Sequence, residues 1–296
     1  MKKLLACVLI AAMSLSVLAG CGSKAETTET TEAVTTAAAE AATEEAATTE
    51  ASTEVTEATE TTEAINTADI AALADGVLTV GTNAEFPPFE YVDDNGEADG
   101  FDMALIRAIG EKLGVEVQVE NMEFASLIAS IGTKIDVAIA GMTVTDERKE
   151  AVDFSNSYYE AVQYVILPTD STIVAAADLE GKKIGVQLGT TGDFIVEDIA
   201  DAEAAQFNKA VDAVNDLING RVDCVIIDKN PALVFEEKFE GQVVAVDGAQ
   251  FGFEPEEYAI AMPKGESALQ DAINTALEQM IADGTFDELV KQYIEE

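Results

Sequence analysis

The chain has 296 residues, with 16 Lys and Arg against 57 Asp and Glu, a formal charge of −41, and no His. So acidic a chain is a poor partner for nucleic acid, whose binding is driven by counterion release from a basic face. Without His the commonest general base and zinc ligand are gone, which excludes Ser-His-Asp, Cys-His and His-metal chemistry; no metal or cofactor is called for. The length suits about two domains, and 48% apolar residues supply their cores.

Met1-Lys2-Lys3 followed by an apolar run over residues 4–18 has the layout of an export signal. The run is shorter than the roughly 20 residues of a spanning helix and ends in Leu18-Ala19-Gly20-Cys21. That tetrapeptide resembles a bacterial lipoprotein signal, which implies removal of residues 1–20 and a lipid on Cys21. An uncleaved anchor or a plain secretory signal are the alternatives, and in each case the rest of the chain is exported. From Ala25 to Ala64 every residue except Val34, Ser52 and Val55 is Ala, Thr or Glu. Such a stretch has little to bury and carries repelling charges, so residues 21–76 read as a disordered tether that holds a folded unit off the membrane. Of the three cysteines, Cys7 leaves with the signal and Cys21 takes lipid. Cys224, in a β-type run, reads as a buried inert thiol.

The folded unit opens with an alternating strand at residues 77–81. A helix at 101–113 follows, with Phe101, Leu105, Ile109 and Leu113 at intervals of four. Residues 115–119 read as a strand, 123–131 as helical and 136–140 as a short buried strand. This β-α-β-α-β order predicts a parallel sheet with helices on its faces. A second series follows: strands at 162–167, 183–187 and 222–227, with helices at 192–200, 211–219 and 231–237. Two α/β units in tandem predict two lobes. The helices at 267–283 and 285–293 have no strand series of their own and are expected to return to the first lobe.

Several motifs now stand in order. Thr82-Asn83-Ala84-Glu85-Phe86-Pro87-Pro88-Phe89-Glu90-Tyr91 follows the first strand, and Gly100-Phe101-Asp102 opens the first helix. Ala140-Gly141-Met142-Thr143-Val144-Thr145-Asp146-Glu147-Arg148, Asp153-Phe154-Ser155, Gly189-Thr190-Thr191 and Gly220-Arg221-Val222-Asp223 come next, then Ala282-Asp283-Gly284-Thr285-Phe286. Together they resemble the extracellular solute-binding proteins of polar amino-acid ABC importers, over essentially all of residues 77–293. The resemblance implies a type II periplasmic-binding-protein fold: two α/β lobes joined by two hinge strands. Lobe one spans 77–158 plus 258–296, and hinge strands and lobe two span 159–257. It also implies a monomer, lipid-anchored outside the cell membrane, that binds a free amino acid between the lobes and hands it to membrane permease subunits.

A cleft specific for an amino acid must desolvate a carboxylate and an ammonium, and each needs a partner. Arg148 has the planar fork that grips a carboxylate by two parallel bonds; its plainer reading is a surface ion pair with Glu147 or Glu150. The resemblance adds Thr143 and Thr191 for the carboxylate and Gly141 for the ammonium, residues that would otherwise merely turn or cap the chain. Asp228 stands at a strand's C-terminal end, where open α/β sheets bind ligands; the resemblance implies that it holds the ammonium, and its plainer reading is the cap of the helix behind it. Phe86 and Phe124 would wall the side-chain pocket or serve as core. Asn83 stands where several binders of cationic and polar amino acids carry Asp. With Gln187, Leu188 and Ile227 it favours a neutral polar amino acid such as glutamine, then cystine or a basic amino acid, with Glu85 near enough to serve the last. The alternatives are a dehydratase-type enzyme on this fold, with Glu85 or Glu160 as general acid, and a ligand-sensing protein. Arg148 and Asp228 are expected to face an open, wet cleft before ligand arrives.

The charge divides between tether and lobes. Residues 21–76 carry 1 − 13 = −12 and residues 77–296 carry 13 − 44 = −31. Most of the acid therefore sits on the folded part, as solvated surface.

Overall fold

The computed structural model describes residues 65–295. The signal, Cys21 and the Ala/Thr/Glu-rich run lie outside them. In chain order the first strands are β1 (Val77–Thr82), β2 (Glu85–Phe86), β3 (Glu90–Val92) and β4 (Ala98–Asp99), followed by α1 (Phe101–Leu113) and β5 (Glu116–Asn121). Then come α2 (Leu127–Ser130), β6 (Val137–Ala138), α3 (Asp146–Ala151), β7 (Val152–Phe154) and the long β8 (Tyr159–Pro168). Lobe two continues with β9 (Lys183–Gln187), α4 (Thr191–Glu197), β10 (Glu203–Phe207), α5 (Ala210–Ile218), β11 (Cys224–Asp228), α6 (Lys229–Lys238) and β12 (Val243–Asp247). The chain returns through β13 (Pro255–Tyr258) and β14 (Ala261–Pro263) to α7 (Ser267–Asp283) and α8 (Thr285–Tyr293).

Lobe one is built on the sheet β5-β1-β6-β14-β7, with β5 and β6 parallel to β1 and β14 antiparallel to its neighbours. Leu78 and Val80 alternate inward from β1 and are fully buried, as the period-two pattern requires. The apolar stripe of α1, Phe101, Leu105, Ile109 and Leu113, is buried against them. Each such side chain stabilises the fold by about 1.5–3 kcal/mol through area removed from water. Gly114 ends α1 in the left-handed region. At its start, Gly100 has φ 119°, and a Cβ there would lie 2.4 Å from the Phe89 carbonyl oxygen. Only glycine lets α1 begin this close to the Phe89 loop. The chain packs earlier than residue 77: Ile70 and Leu73, flanking and ending a short 3₁₀ turn, are buried in the lobe-one core. Two large apolar residues among small polar ones are enough to dock this end of the tether.

Lobe two is the sheet β10-β9-β11-β8-β12, parallel across its first three strands and antiparallel where β8 pairs with β11 and β12. The strand expected at 162–167 is longer than its apolar part. The first residues of β8, Tyr159 to Val162, pair antiparallel with β13, and the rest of the same strand enters the lobe-two sheet. These paired segments are the hinge. Phe89 locks lobe one to it, its ring lying edge-on to Phe101, Tyr159 and Tyr258 at 6.2, 4.9 and 5.3 Å between centroids. Cys224 is fully buried in the β11 core, and burial pushes its thiol up to about 12.

Three expectations change. The helix at 123–131 is a 3₁₀ turn (Phe124–Ser126) followed by the single turn of α2: Phe124, Leu127, Ile128 and Ile131 keep helical spacing, but Ile131 turns extended at ψ 132° and Gly132 follows at φ 74°, which ends the helix. Strands β10, β12 and the small antiparallel sheet β2-β3-β4 were not anticipated. The strands β2, β3 and β4 are only two or three residues long, and neither the EAAQF of β10 nor the VVAVD of β12 alternates apolar with polar residues. The C-terminal segment does return to lobe one, but it brings a strand, β14, into that sheet. Among the described residues no helix is long and apolar enough to cross a membrane.

Candidate ligand-binding cleft

All nine predicted contact residues line one cavity between the lobes: Asn83, Phe86, Phe124, Gly141, Thr143, Arg148, Gln187, Thr191 and Asp228. Lobe one contributes the loop after β1, the turn before α2 and the loop between β6 and α3. Lobe two contributes the ends of β9 and β11 and the start of α4. These are the C-terminal ends of sheet strands, where open α/β sheets leave a crevice. Glu90, Ala140 and Thr190 also line the cavity.

Arg148 is 5% exposed and pairs with neither Glu147 nor Glu150. Its guanidinium donates to the Thr143 carbonyl at 2.7 Å and, across the lobes, to the Gly189 carbonyl at 2.9 Å. The Phe124 and Phe194 rings flank it at 5.4 and 5.8 Å, a cation–π arrangement. α3 carries it, capped by the Thr145 hydroxyl, which accepts from the Arg148 N–H. Burial holds the guanidinium below its usual range, opposed by the Glu256 and Asp228 carboxylates. Two of its N–H groups serve these carbonyls, and the other donors of the fork remain for an anion.

Asp228 stands at the N-cap position of α6 but makes no side-chain cap bond. Its carboxylate, 7% exposed, accepts from the Tyr258 hydroxyl at 2.5 Å. Burial, with nearby Glu256, pushes it up to about 7. An aspartate held this high contributes stability that is present below its ordinary 3.8 and is lost as pH rises through about 7. The ligand-free melting temperature is therefore expected to fall between about pH 4 and pH 7. Asp228→Asn should flatten part of that fall, which calorimetry over a pH series reads.

The two threonines differ from expectation in what they bond. Thr143 and Thr191 both donate their hydroxyls to the same Glu256 oxygen, at 2.6 and 2.9 Å. Glu256 lies on hinge strand β13, so one carboxylate ties a lobe-one loop to a lobe-two helix. Sequence reasoning missed it because an acid in the run Glu254-Pro255-Glu256-Glu257 reads as surface. Gly141, at φ 53°, gives its N–H to Asp102 at 2.8 Å, and a Cβ there would press on the Phe86 ring at 3.0 Å.

Asn83 and Gln187 meet across the cleft, with Gln187 donating to the Asn83 side-chain oxygen at 2.8 Å. With Arg148–Gly189 and the Glu85–Lys209 ion pair, this brings the lobes together. Arg148 and Asp228 are thus buried rather than facing open water. Leu188 and Ile227 do not line the cavity. Leu188 is 37% exposed, and Ile227, one residue before Asp228, points by strand alternation into the core. Glu85 is held by Lys209 outside the cavity, and Glu160 is exposed on the hinge.

The model of the bacterial extracellular solute-binding proteins, family 3, matches residues 78–296. The chain belongs to this family. A probable histidine-binding protein of Neisseria gonorrhoeae is 31% identical over 229 residues, 75% of this chain and 85% of that protein. The L-cystine-binding protein TcyJ of Escherichia coli strain K12 is 32% identical over 222 residues, 74% and 82% of the two chains. An ancestral arginine-binding protein solved with arginine has 42% identity and a TM-score of 0.70, covering 74% of this chain and 98% of that one. An ancestral amino acid-binding protein described as a precursor of cyclohexadienyl dehydratase has 34% identity and a TM-score of 0.68, over 75% and 97%. The two-lobed α/β fold of this family is the fold of this chain, and the relatives named here are amino-acid-binding proteins.

Proposed function

We propose that this family-3 protein binds a free amino acid between its lobes and delivers it to the permease of an ABC importer, from a lipid anchor at Cys21. The observation that carries the reading is the pairing of Arg148 and Asp228 in one cleft. One cation with unspent donors and one acid are both buried there, at opposite chemical duties. A free amino acid brings the matching carboxylate and ammonium, which would otherwise be costly to desolvate. Closure of the lobes around it gives the permease a shape to read.

For the side chain we favour a neutral polar amino acid of about glutamine size, followed by cystine or a basic amino acid. The cavity offers the Asn83 and Gln187 amides and the Phe86 and Phe124 rings. Glu85, the acid closest in sequence that could attract a cationic side chain, is already paired. The basic reading is supported by the arginine- and histidine-binding relatives. We read the chain as a binding protein rather than a dehydratase: Glu85 and Glu160, the acids that reading would use, do not line the cavity.

A thermal-shift screen of the protein against each amino acid and cystine tests the proposal. A ligand that binds the native state raises the melting temperature by mass action, by about 2.7 kcal/mol of stability at a hundred times Kd. One or a few amino acids should give clear shifts, with a neutral polar one largest. No shift with any amino acid overturns the reading, and a largest shift with arginine overturns the preference for a neutral ligand.

A further inference from the structure

We propose that Glu90 and Asp102 share one proton in the unliganded cleft, and that Glu90 is a second acid for the ligand amine, releasing that proton when an ammonium group binds beside Asp228. The inference rests on the amino-acid reading above and goes beyond it in naming a residue and a proton that reading does not require.

Glu90 lines the cavity from β3 and is 1% exposed, yet neither of its carboxylate oxygens has a hydrogen-bond partner. Its neighbour Asp102, from the first turn of α1, is fully buried. One Asp102 oxygen accepts from the Gly141 N–H at 2.8 Å and the Tyr158 hydroxyl at 2.9 Å, and the other has no partner. Unpaired carboxylate oxygens at such depth are costly. Two adjacent anions cannot satisfy each other, since an ionised carboxylate only accepts. A single proton on Glu90, directed at the open Asp102 oxygen, satisfies both groups, and the second Glu90 oxygen is left for the cleft.

The surroundings favour that proton. The titratable groups acting on Glu90 are Asp102 from α1, Asp228 from the end of β11, and Tyr158 just ahead of β8. Arg148 lines the same cavity but donates to the Thr143 and Gly189 carbonyls, and burial first, then Asp102, raises Glu90 well above its ordinary range. Asp102 itself is pushed up to about 6 by burial. A bound metal is a poor alternative, because among the described residues no group of three or more His, Cys, Asp or Glu is placed to hold one.

A primary ammonium changes the balance. It carries several N–H donors and a full positive charge, so it can serve the Glu90 oxygen together with Asp228 and stabilise both as anions. Glu90 then gives its proton to solvent buffer, and no bond of the amino acid is made or broken. Asp102, still holding the Gly141 N–H, keeps that cleft loop in place through the change.

The test is calorimetric titration of the protein with L-glutamine, L-arginine and L-cystine in turn, at pH 7, in buffers of different protonation enthalpy. Wild type should release about one proton or more per amino acid bound. Glu90→Gln, whose amide imitates the protonated acid by donating to Asp102, should still fold. It should release most of a proton less than wild type and bind about tenfold more weakly. Asp102→Asn supplies a donor to Glu90 permanently and should lose the same proton, while Asp228→Asn reports the share that belongs to that acid. Binding with the wild-type proton count unchanged in both Glu90→Gln and Asp102→Asn overturns this inference alone. Failure of the wild type to bind any amino acid overturns the amino-acid reading, and this inference with it.

Discussion

Arg148→Ala is expected to weaken amino-acid binding by about a hundredfold or more. Removing one partner of a buried charge pair costs about 3–5 kcal/mol, because the ligand carboxylate is then desolvated with nothing to meet it. Arg148→Lys should recover only a small part, since a point charge on a flexible stem cannot form the two parallel bonds of the guanidinium. The substitution also reaches the unliganded protein. Arg148 ties Thr143 to Gly189 across the lobes and fills the space between Phe124 and Phe194. Its loss should therefore lower the melting temperature and shift the lobes towards separation. Isothermal titration reads the first effect, and small-angle scattering of the unliganded variant reads the second. Intact affinity in Arg148→Ala sinks the carboxylate assignment, whatever happens to the lobes.

Asp228→Ala carries the second large effect. The variant loses the partner for the ligand ammonium, and it strands the Tyr258 hydroxyl, which is fully buried and donates to Asp228. An orphaned buried donor costs about 1–3 kcal/mol, so this variant should be less stable as well as deficient in binding. Asp228→Asn separates the two consequences. Its side-chain oxygen can still accept from Tyr258, so stability should return to near wild type, while binding stays weaker by about tenfold or more without the charge. Equal melting temperatures for the Ala and Asn variants would show that the Tyr258 bond contributes nothing. Wild-type affinity in Asp228→Asn removes Asp228 from the ammonium site.

How much of this was legible in the sequence depended on the kind of signal. Helix α1 is legible because four apolar residues recur at spacing four, and the structure keeps the same bounds, Phe101–Leu113. The cleft residues were found through ordered motifs rather than through periodicity, and the fold gathers them because they sit at strand ends of both lobes. What escaped were polar residues whose role is set by distant partners. Glu256 is one acid in an acidic run, and nothing local says that Thr143 and Thr191, more than sixty residues upstream, donate to it. Glu90 sits in Phe89-Glu90-Tyr91, where alternation suggests an outward acid, and it is buried by distant parts of the chain, beside Asp102 of α1 and in the cavity that Asp228 also lines. The openness of the cleft was misjudged for a related reason. The Gln187–Asn83 and Arg148–Gly189 bonds join residues 104 and 41 positions apart, and no window along the chain contains both ends.

The central claim is that the cleft recognises the two charged ends common to all free amino acids, with Arg148 on the carboxylate. The most direct measurement is a competition titration of the best-binding amino acid against its own α-amide, which differs only in lacking that carboxylate. The amide should bind at least about a hundredfold more weakly to wild type, and Arg148→Ala should no longer distinguish the two. An amide that binds wild type as tightly as the free amino acid would contradict the account.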